Sequence, residues 1–340
     1  MNDVAVYFYS PSFPDNPSDL PQTIDESWFW YYETGKRGMS TGEYAWTLQT
    51  FLHLKQAGIA CETTNIIPKR GIIFAHRNAL PYLFLPNKDQ LVICLQADKS
   101  PHPFVQASVV LTQAALYLRW THMGPYTNPL VLWSRRRPYD NRFYIKHWPI
   151  PNLKPRSKDR GDLVRNIAYF GVEHSLAPEL RGEDWKLLLE KHGFSWIWKK
   201  GDSPSDWTDF SDIDAIVSVR SFESTRHHWA SKPPTKLFNS WLAGGIPIMG
   251  NEAAVQEVRK TGLDYLEVNS RDDILQNLNR LKNDPEFRES VLNAGQERGL
   301  ETSIEAIKND WILLIGRLQE RYQRWNRSTI LERGLFFLGR

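Results

Sequence analysis

Short apolar runs alternate with stretches of helical spacing along most of this 340-residue chain, and that alternation is what most restricts its fold. Val4 to Tyr9 is an apolar run that stops at Ser10-Pro11-Ser12, so it reads as a strand and a loop. From Glu43 to Gln56 the apolar positions Ala45, Leu48, Leu52 and Leu54 follow helical spacing, with Thr41 a candidate N-cap and Gly58 a candidate C-terminal glycine. Ile59 to Ile67, Gly71 to Ala75, Leu91 to Leu95 and Val109 to Leu111 read as further strands. The stretch Pro149 to Asp162 is rich in proline and charge and reads as a linker. Beyond it come strands at Asn166 to Phe170, closed by Gly171, and at Phe194 to Trp198, Ala215 to Val219, Ile246 to Met249 and Tyr265 to Val268. Helices are expected at Asp184 to Lys191, Thr235 to Ala243, Ala253 to Lys260, Arg271 to Lys282 and Ile304 to Trp325. Strand–helix–strand alternation implies parallel sheets covered by helices on both faces. The expected fold is α/β with two Rossmann-like, doubly wound domains, 1–152 and 153–310, and a terminal helix, 311–340, packing back on the first.

The composition fits a soluble globular chain, with 41% hydrophobic and 24% charged residues. No long apolar run suggests a membrane span, and MNDVAVYFYS lacks the basic start of a signal peptide. Cys61 and Cys94 are the only cysteines, both expected in buried strands, and a cytoplasmic location follows as the simpler reading. A net charge of +3 gives no argument for nucleic acid and is compatible with a small anionic ligand at a local basic site. The aromatic content is high, with 14 Trp, 13 Tyr and 16 Phe, and Trp28-Phe29-Trp30-Tyr31-Tyr32 is its densest cluster. That cluster could pack as a loop against a domain or stack on sugar rings.

In doubly wound sheets ligands bind at the carboxyl ends of strands, near helix N-termini. The strongest candidate is Val217-Ser218-Val219-Arg220-Ser221 followed by Lys232-Pro233-Pro234-Thr235-Lys236. Proline is accepted in a first helical turn and not beyond it, so a helix begins at Pro234 or Thr235 with its N–H groups free. Arg220, Lys232 and Lys236 lie near that positive helix end, an arrangement suited to a diphosphate. Gly171 closes the first strand of the same half, and Asn251-Glu252 ends a later one. Gly244-Gly245-Ile246-Pro247 is a tight helix-to-strand return with glycine at a left-handed C-cap.

The segment KPPTKLFNSWLAGGIPIMGNEAAVQEV, Lys232 to Val258, resembles the donor-binding segment of GT-B glycosyltransferases. GLDYLEVNSRDDILQNLNRLKNDPEFRESVLNAGQERG, Gly262 to Gly299, is similar to its usual sequel of a short strand and helices packed on the sheet. In the first half, RGMSTGEYAWTLQTFLHLKQAGIACE resembles the glycine loop and first helix, and GIIFAHRNA the segment that presents a histidine to the donor sugar. The resemblance implies sugar transfer from a nucleoside-diphosphate sugar to an acceptor hydroxyl, with the departing diphosphate stabilised by basic side chains and helix N-termini. No cofactor and no essential metal are expected. Asp212-Ile213-Asp214 has the spacing of a metal motif but precedes a strand, so a capping or solvated role is expected of it.

Carried onto this sequence, the resemblance implies that Arg220 and Lys236 face the diphosphate and that Glu252 approaches the nucleotide or sugar. Ser40, Thr41 and Gly42 match the loop over the phosphates, and His76 the sugar-facing histidine. Many retaining members have a ribose-binding Glu before the Gly-x-Pro; here that position is Ser240, with Asn239 beside it, and either could hydrogen-bond the ribose. Retention or inversion is therefore open. An inverting enzyme would need a general base, for which Asp98, Asp25 and Glu26 are candidates. The acceptor is expected to be a carbohydrate or a lipid-linked molecule. Ser134-Arg135-Arg136-Arg137 and the Arg- and aromatic-rich tail from Arg317 to Arg340 are the basic stretches, and the tail either packs back on the protein or meets a membrane surface. Rival readings are a non-catalytic sugar- or nucleotide-binding subunit and a nucleotide-sugar epimerase or phosphorylase on the same scaffold.

Overall fold

The computed structural model describes residues 4–33, 41–81, 83–97, 102, 104–111, 142–223, 229 and 232–338. Ser40, Asp98 and the Arg135–Arg137 stretch lie outside the described residues. By its contacts the chain divides into two units. One holds Met1–Trp148, Ser231–Pro233 and Glu305–Arg340, and the other Pro149–Ala230 and Pro234–Ile304.

The first unit starts with β1 (Val6–Tyr9), then α1 (Ile24–Glu33) and a helical run built from α2 (Thr41–Glu43), a π-helical turn (Tyr44–Leu48) and α3 (Gln49–Gln56). The strands β2 (Cys61–Thr64), β3 (Gly71–His76), β4 (Gln90–Ala97), β5 (Ala107–Val110) and β6 (Arg142–Tyr144) follow. Among the described residues the sheet order is β2-β1-β3-β4-β5-β6, and every pairing is parallel. Leu91 to Leu95 are fully buried in β4, as an unbroken apolar run in a sheet covered on both faces requires. Cys94 is buried there, whereas Cys61, on edge strand β2, is only half-buried; both are free thiols.

The aromatic cluster is helical and forms α1 rather than a loop. Trp28 and Tyr31 are its buried face, and the Tyr31 ring stacks on Tyr44 at 4.3 Å. Five consecutive large aromatics hide the helical period, because Phe29 on the exposed face is as apolar as its buried neighbours.

The second unit contains β7 (Asn166–Phe170), α4 (Glu183–Lys191), β8 (Ser195–Lys199), α5 (Pro204–Thr208), β9 (Ala215–Ser218), α6 (Thr235–Ala243), β10 (Ile246–Gly250), α7 (Ala253–Gln256), β11 (Leu266–Val268), α8 (Arg271–Asn283) and α9 (Pro285–Glu301). Its described strands run β11-β10-β9-β7-β8, all parallel. In each unit the chain adds its second strand on one side of the first and its third strand on the other. That reversal is the topological switch point of a doubly wound sheet. The α/β, two-sheet, Rossmann-like architecture expected from the alternation is present.

Three local expectations need correction. The Pro149–Asp162 stretch is not a free linker but part of the second unit: the Lys154, Arg156 and Ser157 N–H groups donate to Thr208, Ala243 and Ser211 carbonyls at 2.8–2.9 Å. Asp214 is neither a cap nor solvated. It is 2% exposed and takes hydrogen bonds from Arg156, Arg160 and the N–H groups of Arg165 and Asn166. Burial alone would raise the Asp214 carboxyl, but these partners outweigh it and hold it below the ordinary range. Finally, α7 stops at Gln256 instead of reaching Lys260, because the Asp264 carboxylate captures the Lys260 N–H and the Thr261 hydroxyl.

The chain then returns to the first unit through α10 (Ile304–Arg327) and α11 (Ile330–Leu338). Trp311 of α10 is fully buried, its ring 5.7 Å from both Trp46 and Phe74. Losing such a buried indole costs on the order of 3–5 kcal/mol, so α10 is an integral layer of that unit.

Candidate functional site

The switch point of the second sheet lies between β7 and β9, and the chain segments leaving these strands carry the chemistry. Gly171 leaves β7, Arg220 leaves β9, and Glu252 follows β10 as the N-cap residue of α7. The first turn of α6 brings Lys236 to the same place. Pro234 is the N-cap of α6 and has no side-chain oxygen to offer the first N–H groups, which leaves that positive helix end for a ligand. At the other end Gly244 takes the left-handed conformation (φ 70°) that closes the helix before Ile246-Pro247, as the Gly-Gly-Ile-Pro spacing predicts.

Lys236 is packed tightly. Its Nζ is 3.3 Å from the Tyr169 hydroxyl and 4.3 Å from that ring's centroid. Burial first, and the Arg220 charge second, pull its ammonium down to about 7, against a smaller opposing pull from Glu252. Tyr169 donates its hydroxyl hydrogen to the Val172 carbonyl at 3.0 Å, and burial pushes its phenol up to about 12. Gly171 has φ +151°, and a Cβ there would lie 2.5 Å from the Tyr169 hydroxyl and 3.0 Å from Lys236 Nζ. Only glycine lets the β7 end pass this close to the lysine. The Gly171 carbonyl is fixed from the other side by the Trp198 indole N–H at 2.8 Å.

Arg220 is ion-paired with Glu252 through Oε2, and its guanidinium lies 5.6 Å from the Trp229 ring. Glu252 is only 6% exposed, and its second oxygen, Oε1, is buried with no hydrogen-bond partner among the described residues. An unsatisfied buried carboxylate oxygen is costly unless a ligand donor meets it. The cluster therefore combines a lysine held short of its charge, an arginine occupied by a carboxylate, and a carboxylate with spare acceptor capacity. An entering dianion would supply what Lys236 and Arg220 lack, and a sugar or ribose hydroxyl would serve Oε1.

Of the residues singled out in the sequence, Gly171, Arg220, Lys236 and Glu252 thus meet at one place. Asn239 and Ser240 are buried with their side chains engaged by backbone: the Ile150 N–H donates to Asn239 Oδ1 at 3.3 Å, and the Ser240 hydroxyl donates to the Lys236 carbonyl at 2.7 Å. Lys232 is half-buried and grouped with the first unit. Tyr169 is a site residue that sequence reasoning missed. It sits in mid-strand as an apolar-run aromatic, and only the return of α6 beside it reveals its role.

At the switch point of the first sheet, His76 ends β3 and is buried, its Nδ1 accepting the Asn78 N–H at 3.3 Å. Thr41 begins α2 and its hydroxyl lies 2.7 Å from the Tyr31 hydroxyl; Gly42 is half-buried beside it. The next residue, Glu43, was not singled out, yet it is the buried carboxylate at this switch point. Ser10, just past β1, donates its hydroxyl hydrogen to Glu43 at 2.7 Å. The π-helical turn follows directly, and such insertions are frequent at functional positions. Asp25 and Glu26 lie in the first turn of α1, where Glu26 accepts the Gln22 N–H and serves as a local cap. Among the described residues no group of three or more His, Cys, Asp or Glu is placed to hold a metal ion.

No protein-family model matches the chain, and no curated protein matches it. Among solved structures the chain is similar to Anabaena Alr3699/HepE in complex with UDP and glucose, with a TM-score of 0.49 at 10% identity over 93% of this chain and 100% of that one. AviGT4, a glycosyltransferase involved in avilamycin A biosynthesis, matches with a TM-score of 0.47 at 11% identity over 94% and 98%. The catalytic domain of starch synthase IV from Arabidopsis thaliana, bound to ADP and acarbose, matches with a TM-score of 0.44 at 10% identity over 86% and 78%.

Proposed function

We propose that this chain is a glycosyltransferase that moves a sugar from a nucleoside-diphosphate sugar to an acceptor hydroxyl. The observation that carries the proposal is Lys236: a lysine in the first turn of an uncapped helix, pressed against Tyr169 and Gly171 at the switch point and beside Arg220. A site of this kind is built for a group that arrives with two negative charges and departs with more.

The chemistry follows from those charges. As the glycosidic bond breaks, negative charge grows on the leaving diphosphate, and preorganised donors aimed at it lower the barrier. The Lys236 ammonium, the Arg220 guanidinium and the first N–H groups of α6 are those donors, so no bound metal is required. Glu252 Oε1 accepts from a hydroxyl of the donor sugar or ribose. The first unit takes the acceptor, a carbohydrate or a lipid-linked molecule, with His76 and Glu43 at its switch point as the polar groups that orient it.

The test has two arms. Calorimetry with UDP, GDP and ADP should detect binding that Lys236→Ala weakens by about 1.5–3 kcal/mol, as for a lost charge-assisted hydrogen bond. A panel of nucleotide sugars should then show release of the matching diphosphate, faster with acceptor present. Failure of every nucleotide to bind removes the donor site; binding without turnover across the panel makes the chain a non-catalytic binding subunit.

A further inference from the structure

The terminal helical pair carries a surface that the proposed reaction does not use. After α10 ends at Arg327 the chain turns through Ser328 and Thr329 into α11, which folds back on the end of α10. Four contacts fix this return. Phe336 and Phe337 meet the Trp325 ring edge-on at 5.3 and 5.7 Å, Arg321 lies 5.6 Å from the Phe336 ring, and the Arg333 guanidinium donates to the Ser328 carbonyl. One face of α11, formed by Arg333, Phe336 and Phe337, is thereby consumed.

Apolar side chains also lie outside that face, and two of them, Ile330 and Leu331, are exposed. At 100° per residue, Leu331 and the half-buried Leu335 project on the side of α11 opposite Phe336 and Phe337, and Ile330 opens the helix a quarter-turn from Leu331, toward Phe337. Ile330 is 83% and Leu331 72% exposed. Single exposed leucines are ordinary, but Ile330 and Leu331 are neighbours in the first turn of a short helix that already has a helix partner, and together they leave an apolar patch. The setting is cationic: between Arg317 and Leu338 the chain has five arginines against two glutamates, and Arg324 and Arg327, at the end of α10, are exposed. Glu332 accepts from Thr329 at its own N-cap and leaves one negative charge there, which the five arginines outnumber.

We propose that α11 is a membrane-surface anchor: Ile330, Leu331 and Leu335 enter the interface of an anionic bilayer while Arg324 and Arg327 meet its headgroups. An apolar strip a few side chains wide beside exposed arginines is the pattern of interfacial helices, which lie in the membrane plane and do not span it. No described helix is long and apolar enough to cross a membrane, so the contact is peripheral. An apolar protein partner would favour the strip without the arginines, and a nucleic acid the arginines without the strip. This assignment stands apart from the donor site and survives or fails on its own.

The test is co-sedimentation of the full chain with vesicles of phosphatidylcholine alone and of phosphatidylcholine mixed with phosphatidylglycerol. The chain should pellet with the anionic vesicles and not with the neutral ones, and added salt should release it. Ile330→Asn with Leu331→Asn, and separately Arg324→Gln with Arg327→Gln, should each lower the bound fraction at least roughly tenfold. All four residues are exposed, so both variants should keep the wild-type circular dichroism and thermal midpoint. Binding to neither vesicle, equal binding to both, or binding unchanged in the Ile330/Leu331 variant would overturn the proposal. So would a dimer in the absence of vesicles that the same variant dissolves, because a second copy would then be the occupant.

Discussion

Lys236 Nζ and the Tyr169 hydroxyl lie 3.3 Å apart, and the lysine also stands over the tyrosine ring. With its ammonium pulled down to about 7, Lys236 is largely uncharged above neutral pH in the free protein. A diphosphate placed beside it restores the ordinary preference for charge, so binding takes up a proton. A nucleotide sugar keeps its diphosphate charge across this range, and its affinity should be flat below pH 7. Above pH 7 it should weaken, by up to about tenfold per pH unit. Calorimetry in two buffers of different ionisation enthalpy at pH 8 should show the uptake directly. Buffer-independent heats at that pH would mean Lys236 does not meet the anion.

The same burial predicts how stability moves with pH. The unfolded chain keeps this proton up to the ordinary lysine value of 10.5, whereas the folded chain gives it up near 7. Between those values the unfolded state binds more protons, so stability rises with pH through that window. The penalty is fully present below pH 7. Lys236→Met, which keeps the volume and drops the charge, should therefore stabilise the ligand-free protein at pH 6 by about 1–4 kcal/mol. The difference should shrink by pH 9.5, read from urea midpoints at both values.

How much of this was legible in the sequence depends on whether a signal is local. Thr235 to Ala243 is bounded by Pro234 and Gly244, whose backbone preferences are intrinsic, and the helix falls where those residues place it. Arg220, Lys236 and Glu252 could be collected because strand order in parallel sheets makes the ends of successive strands neighbours. The nature of their meeting was not legible: that Glu252 holds Arg220, or that Tyr169 lies under Lys236, depends on side chains 32 and 67 residues apart. Asp214 shows the opposite failure. A local motif suggested a loop carboxylate, and tertiary structure made it the buried anchor of two arginines.

Gly171 gives a substitution with one clear mechanism. A methyl group there would overlap the Tyr169 hydroxyl and crowd Lys236 Nζ, at a φ of +151° that side chains other than glycine rarely adopt. Gly171→Ala should cost on the order of 1–3 kcal/mol of stability and displace the lysine, so nucleotide affinity falls with it. Chemical denaturation and calorimetry on the one variant measure both. Retained affinity in a destabilised variant would separate Gly171 from the ligand site.

Asp214 should govern acid stability in the second unit. Its lowered carboxyl contributes stability that is present above the unfolded carboxylate range and lost as pH falls through the folded value. Asp214→Ala strands Arg156 and Arg160 partly buried and leaves two backbone N–H groups unmet. A loss of about 3–5 kcal/mol at pH 7 is expected, with a smaller difference from wild type at a pH far enough below 3.8 to protonate the held-down carboxyl. Nucleotide binding by the folded fraction should be unchanged, since these contacts lie at the opposite ends of the strands from Lys236. An equal deficit at both pH values would show that the ion pairs are not what the aspartate contributes.

Glu252 distinguishes the phosphate side of the site from the sugar side. Without a ligand it neutralises Arg220, so Glu252→Gln leaves that guanidinium unpaired and should lower the thermal midpoint of the free protein. A nucleoside diphosphate competes with the Glu252 carboxylate for Arg220 and is repelled by it. The variant should therefore bind the diphosphate more tightly, by roughly tenfold for one removed like charge near a partly buried site. A nucleotide sugar gains the same advantage, and where buried Oε1 accepts from the sugar it also loses that bond, so its preference over the bare diphosphate should shrink; a ribose contact would leave the preference unchanged. Measuring both ligands on both proteins gives this ratio independently of any change in stability. If diphosphate affinity falls in Glu252→Gln, the carboxylate does not compete for Arg220, and the role assigned to the pair is wrong.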